Sequence, residues 1–262
     1  MRIRPAACGF VASAAIVLVV SAATPGKYTP PRYRGGVPAP NQVAVTGGGE
    51  VFVQVSLDAS GGVSAVTPLR ATPPFTESVV SAVRRWTFSA AIQEMVPDSD
   101  EVPQTVAKKL VASKVFVAAL FRPPTLAGGT LGAAPSDVGA ASSEMPFALS
   151  TTMPAYPPNS MFEGTVLIEG LVTPTGAIKQ TRVVQSAGGF ESAALAALSS
   201  WSFRPARVNG TLTDAYVYVS FGFRPPVGGP SPTGAPPVGP PGTGTATGSR
   251  GNSPFAALSR PF

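Results

Sequence analysis

Residues 190–206 read Phe190-Glu191-Ser192-Ala193-Ala194-Leu195-Ala196-Ala197-Leu198-Ser199-Ser200-Trp201-Ser202-Phe203-Arg204-Pro205-Ala206, and the fold turns on them. Phe190, Ala194, Ala197 and Trp201 recur at helical spacing and share one apolar face. Glu191 sits in the first turn, where the macrodipole favours an acid. Gly188-Gly189 breaks the chain before this segment and Pro205 stops it, so a helix is predicted from Phe190 to Ser202. A one-sided helix needs an apolar partner, and the flanks supply it. Thr165 to Val172 alternates with Val166, Ile168 and Val172 on one side, which predicts a strand. Thr173-Pro174-Thr175-Gly176 is a turn, and Ile178 to Val184 returns as a second strand. Asn209-Gly210 makes a further turn before a third strand, Ala215 to Phe223. That strand puts Val217, Val219 and Phe221 on one side and Tyr216 and Tyr218 on the other. The expected unit is a three-stranded sheet with a helix on one face, where Trp201 and Phe203 plug the core against Val166 and Ile168.

The same order stands earlier in the chain. A shift of 115 positions lays Gly49 on Gly164, Gly61 on Gly176, Phe75 on Phe190, Trp86 on Trp201 and Phe88 on Phe203. After an insertion containing Asp98, Asp100 and Glu101, Val115-Phe116-Val117 falls on Val217-Tyr218-Val219, and Phe121-Arg122-Pro123-Pro124 on Phe223-Arg224-Pro225-Pro226. The fold class expected is α+β: two tandem two-layer domains, 42–124 and 150–226, each a three-stranded antiparallel sheet packed on a helix. Trp86, Phe88, Trp201 and Phe203 are the predicted core anchors. Pro68 interrupts the second strand of the first copy.

Around these units the composition changes. The chain holds 30 Pro and 28 Gly in 262 residues, enough to leave sizeable segments outside any core. Residues 24–41 read as a Pro-rich linker, 125–149 as a flexible Gly/Ala/Ser linker and 227–262 as a Pro/Gly-rich tail without a core. At the amino end, Arg2 and Arg4 precede an apolar run from 6 to 23 that closes on Val20-Ser21-Ala22-Ala23. Residues 1–23 are therefore a cleaved signal peptide or an uncleaved membrane anchor. Either reading sends the remainder to the periplasm, secreted or anchored to the inner membrane.

Several functional classes are disfavoured. The chain has no histidine, which removes the commonest general base and metal ligand, and its one cysteine is Cys8. No Ser, Cys or Lys has an imidazole to activate it, so an enzyme is not expected; nor is a cofactor or a bound metal. The net charge of +6 is scattered, and Lys108, Lys109 and Lys114 lack interleaved aromatics, so nucleic acid is not an expected partner. Asp98, Asp100 and Glu101 read as a solvated loop.

The second copy, with Tyr156-Pro157, Gly164-Thr165-Val166, Val183-Val184-Gln185-Ser186, Trp201-Ser202-Phe203-Arg204-Pro205-Ala206 and Gly210, resembles the C-terminal domain of TonB-family proteins. The first copy resembles a diverged relative, with Ser89-Ala90-Ala91 in place of Arg204-Pro205-Ala206. The resemblance implies a periplasmic module that grips an extended peptide by strand addition. The partner would be an outer-membrane transporter peptide or another envelope protein, and an inner-membrane proton-channel partner would supply energy. The implied binding strand comprises Ala215, Tyr216, Val217, Tyr218, Val219, Ser220 and Phe221. Three features depart from the family. There is no membrane-helix histidine, the spacer before the first unit is short, and the stretch between Tyr156-Pro157 and Gly164 lacks residues where the family has a short helix. The alternative is thus a structural or scaffolding envelope protein that keeps the fold without energy transduction.

Overall fold

The computed structural model describes residues 23–42, 44–45, 47–97, 106–124 and 140–226. The apolar run up to residue 22, the acidic loop with Asp98, Asp100 and Glu101, residues 125–139 and the tail from 227 lie outside the described residues. The first half contributes β1 (Ala23–Thr29), β2 (Tyr33–Gly35), β3 (Gly49–Leu57), β4 (Val63–Arg70), α1 (Phe75–Val83), β5 (Thr87–Phe88), β6 (Ala91–Pro97), β7 (Ala107–Val111) and β8 (Ser113–Phe121). The second contributes β9 (Phe147–Ser150), β10 (Gly164–Val172), β11 (Ile178–Gln185), α2 (Glu191–Ser199), β12 (Ser202–Arg204), β13 (Ala206–Val208), β14 (Thr211–Thr213) and β15 (Ala215–Phe223). The class is α+β. No helix occurs between Ser150 and Gly164.

The two expected three-stranded sheets are one six-stranded sheet, in the order β11-β10-β15-β8-β3-β4. β8 and β15 pair in parallel and every other pair in this sheet is antiparallel. The physical reason is the edge problem. A three-stranded sheet ending in an apolar strand exposes a row of unpaired amides and carbonyls, and two such edges in one chain satisfy each other. Parallel pairing of two corresponding strands turns the halves over relative to one another. Odd-numbered Val51, Val53 and Val55 of β3 pack in the core that holds α1, whereas Phe52 joins the core that holds α2. Since alternate strand residues point to opposite faces, the helices cover opposite faces of the sheet.

Both helices are shorter than the sequence predicts, which is Phe75–Trp86 for the first copy and Phe190–Ser202 for the second. α2 stops at Ser199, and the Trp201 amide donates to the Leu198 carbonyl at 3.1 Å, a tightened last turn that aims the indole back at the sheet. α1 ends in the same way, with the Trp86 amide on Val83 at 3.0 Å. Phe88 and Phe203 lie on β5 and β12 beyond the helices. Trp86, Phe88, Trp201 and Phe203 are all buried. At the far end of each helix a phenylalanine stacks on the last sheet strand, Phe75 on Phe121 at 4.4 Å and Phe190 on Phe223 at 4.5 Å. β4 continues through Pro68, with a register shift between Pro68, opposite Val53, and Arg70, opposite Phe52; it is an outer strand, and a proline there removes no ladder bond on its free side.

The described residues of the segments expected as linkers, 24–41 and 140–149, belong to the fold. Within 24–41, β1 joins the small sheet β1-β6-β7 and β2 pairs with β5. Within 140–149, Ala141, Met145, Phe147 and Ala148 are buried, and β9 pairs with β12. Each segment leads into one half but covers the outer face of the other. Phe147 packs on Phe116 at 5.5 Å, and Tyr33 on Tyr218 at 5.8 Å. Trp86 Nε1 donates to the Val37 carbonyl of the first segment at 2.9 Å, and Trp201 Nε1 to the carbonyl of Thr152, just beyond the second, at 3.1 Å.

Gly176 closes the β10–β11 turn with φ +82°, and a Cβ there would lie 2.1 Å from the Phe203 carbonyl oxygen. Gly176→Ala should therefore destabilise the protein by more than the roughly 1–2 kcal/mol of a left-handed L-residue alone. A urea denaturation midpoint checks it, and Gly188→Ala, a position with nothing within 4 Å, is the control expected to change little.

Candidate functional site

β15, the implied peptide-binding strand, is an interior strand. On one side it pairs with β10 over its whole length, from Val172↔Ala215 to Gly164↔Phe223. On the other it pairs with β8 from Val217↔Phe116 to Gly222↔Phe121, and the Arg122 amide extends the contact to the Gly222 carbonyl at 2.9 Å. Ala215, Val217, Tyr218, Val219, Ser220 and Phe221 are buried and Tyr216 is half-buried. Val217, Val219 and Phe221 enter the α2 core, while Tyr218 joins the α1 core. The expectation of an accessible edge at these residues fails because the first half supplies the neighbouring strand. The outer strands of the six-stranded sheet are β11 and β4.

The outer face of the second half is sealed by a polar cluster around Glu169, which is 2% exposed. Arg182, its cross-strand partner on β11, donates through Nε and Nη2 to the two carboxylate oxygens at 3.0 Å each. Arg32, beside β2, donates to Oε1 through Nε at 3.0 Å and Nη2 at 2.9 Å. The Tyr218 hydroxyl donates to Oε2 at 3.3 Å and accepts the Tyr33 amide at 2.8 Å. The Arg32 guanidinium also lies 5.4 Å from the centre of the Tyr216 ring. Burial and the Glu169 charge push the Tyr218 hydroxyl far above the usual phenol range. For Glu169 itself, burial opposes ionisation, but hydrogen bonds from Arg182 and Arg32 outweigh it and hold the carboxyl below its usual range. The cluster ties the segment before the first half to the sheet of the second.

This depressed carboxyl has a pH consequence. Its stabilisation is fully present above the unfolded value, about 4.3 for Glu, and is lost as pH falls through the lower folded value. The difference in urea midpoint between parent and Glu169→Gln should thus be largest near neutrality and shrink below about pH 4. A difference that stays constant down to acid pH would show that ionisation of Glu169 does not matter to the fold.

The other residues singled out are placed as follows. Arg204 donates to the Ser142 carbonyl at 2.7 Å and lies over the Phe147 ring at 5.7 Å, so it anchors the segment leading into the second half. Lys114 pairs with Glu144 at 3.0 Å, while Lys108 and Lys109 are exposed on β7. Glu50, also buried, binds Arg70 and accepts the Thr151 hydroxyl at 2.8 Å, a second tie between the halves. Sequence reasoning missed Arg32, Tyr33 and Glu169. The available signal was Glu169 itself, a lone acid among Val166-Leu167-Ile168 and Gly170-Leu171-Val172 with Arg182 at the facing hairpin position. The contribution of Arg32 had no local signal.

Among the described residues no group of His, Cys, Asp and Glu is arranged to hold a metal ion, and no helix is long and apolar enough to cross a membrane. No curated protein matches the chain. Residues 153–225 match the family model of the Gram-negative bacterial TonB protein C-terminal domain; the first half is outside that match. Proteins of this family act in the periplasm and interact with outer-membrane transporters. The matched segment spans β10 to β15 together with α2, and residues 153–225 are a TonB C-terminal domain.

Proposed function

We propose that this chain is a non-catalytic interaction scaffold of the cell envelope, in which the strand-adding edge of a TonB C-terminal domain is closed by the chain's own first half. The observation that carries this reading is the parallel β8–β15 ladder, which occupies the side of β15 where an incoming peptide would pair. The Glu169 cluster supports it, since Arg32 and Tyr33 hold the first half onto the same domain. The absence of histidine from the whole sequence supports a role without proton-coupled energy transduction.

A second reading follows from the same ladder: an outer-membrane transporter peptide displaces β8 and adds to β15. The two are separated by locking the pair. Ala119 and Ser220 face each other across it, both small and buried, and neighbouring strands bring such positions within disulfide reach. In a Cys8→Ala background, Ala119→Cys with Ser220→Cys should form a disulfide, and the oxidised protein should retrieve the same envelope partners as the parent. Loss of those partners on oxidation, with recovery on reduction, would overturn the scaffold reading in favour of strand exchange at β15.

A further inference from the structure

The small sheet β1-β6-β7 and the hairpin β13–β14 face each other across a groove of about 530 Å³. Residues 25–28 line one wall and residues 211–214, which are β14 and the residue after it, the other; Pro174, Val208 and Asn209 complete the lining with Gln93. Successive side chains of a strand point to opposite faces, so a wall made of four consecutive residues is a strand edge rather than a strand face. The pairing agrees: among the described residues β1 pairs only with β6, and β14 only with β13.

The backbone geometry of each wall is specific. Asn209 has φ +50° and Gly210 φ +79°, the two-residue hairpin loop with both central residues left-handed. In such a hairpin the pair flanking the loop, Val208 and Thr211, exchanges both hydrogen bonds, and the next pair, Arg207 and Leu212, turns its amides and carbonyls outward. Leu212 therefore offers its backbone on the outer edge of β14. On β1 the register slips between Pro25, opposite Met95, and Tyr28, opposite Gln93, so this edge bulges along the groove. Gln93, 5% exposed, spans the floor: its Nε2 donates to the Gly26 carbonyl at 2.9 Å and its Oε1 accepts Asn209 Nδ2 at 3.1 Å. A buried amide thus ties both walls, and the groove is pre-formed in the volume range of binding clefts.

We propose that this groove takes an extended peptide of a partner protein as an added strand between the edges of β1 and β14. The proposal deepens the scaffold reading, on which it rests, by giving the partner a site away from the closed β15. The walls carry one charge of each sign, Lys27 and Asp214, so net charge does not select the occupant. What both walls offer in common is a backbone ladder, and that is what an extended chain satisfies. Four wall residues at roughly 3.3 Å each span about 13 Å, enough for about four residues of the peptide.

The test uses the full chain and a phage-displayed random decapeptide library. A selected peptide should protect the Leu212 amide and amides of residues 26–28 from hydrogen exchange. The same peptide with alternate backbone nitrogens methylated should bind at least about tenfold more weakly, the effect of removing main-chain hydrogen bonds. Leu212→Pro should weaken binding comparably, while Leu212→Ala, which keeps the amide, should leave it within about threefold. If Leu212→Pro does not fold, the methylated peptide on the unaltered protein decides. The proposal is overturned if the library yields no peptide, if protection falls on β11 or β4 instead, or if backbone methylation has no effect. Each of these outcomes leaves the β8–β15 lock experiment, and with it the scaffold reading, standing on its own result.

Discussion

Val219→Pro and Ser220→Pro are each expected to unfold the protein or to lower its stability by about 3 kcal/mol or more. Val219 stands opposite Ile168 of β10 and Ala118 of β8, and Ser220 opposite Leu167 and Ala119. Successive amides along a strand point to opposite neighbours, so one proline removes a donor to β10 and the other a donor to β8. Each leaves a buried carbonyl on the neighbouring strand without its partner. Had β15 been an edge, one of the two would have been tolerated. Gln180→Pro and Thr181→Pro on β11 are the comparison, because that outer strand pairs on one side only, both residues are exposed, and one member of the pair should be mild. Thermal or urea unfolding followed by circular dichroism checks all four. If either β15 variant melts within a few degrees of the parent, that side of the strand is free and β15 is not an interior strand.

Trp201→Ala should cost about 3–5 kcal/mol, the range for a large aromatic removed from a packed core. Trp201 is 5% exposed, meets Phe221 edge-on at 5.9 Å and Phe203 at 6.0 Å, and donates its indole N–H to the Thr152 carbonyl. The alanine variant loses the ring contacts and leaves that carbonyl without its donor. The total stability of a domain is only about 5–15 kcal/mol, so much of it goes. Trp201→Phe keeps most of the ring volume and isolates the hydrogen bond, with an expected loss of about 1 kcal/mol. Because both halves share one sheet, Trp201→Ala should lower a single transition seen alike by fluorescence of Trp86 and by circular dichroism. Separate transitions for the two halves would show that the shared sheet is not a cooperative unit.

The local elements were legible because their causes are local. Alternating Val166, Ile168 and Val172, the Pro-Thr-Gly turn at 174–176 and the Phe190–Trp201 stripe each depend on residues a few positions apart. Matching glycines and tryptophans 115 positions apart exposed the likeness of the halves. The leading segments were not legible, for a clear reason. What Val37 and Thr152 share is a carbonyl that accepts a tryptophan N–H, and any residue supplies a carbonyl. Pro and Gly content made 24–41 and 125–149 read as linkers, yet Tyr33, Met145 and Phe147 within them are buried against the sheet. The helix ends were overrun by three residues, because Trp201 keeps helical spacing while its backbone has already turned toward β12.

For the candidate site, the sequence by itself determined which strand has a TonB-like character, which of its residues alternate, and that no histidine is present for catalysis or proton coupling. Whether that strand is open was decided only by the tertiary structure. An edge strand and an interior strand carry the same apolar alternation, since side chains report the faces of a sheet while pairing is made by backbone groups common to every residue. β8 closes β15, and Arg32 reaches Glu169 across 137 positions, through contacts that exist only once both halves are folded together.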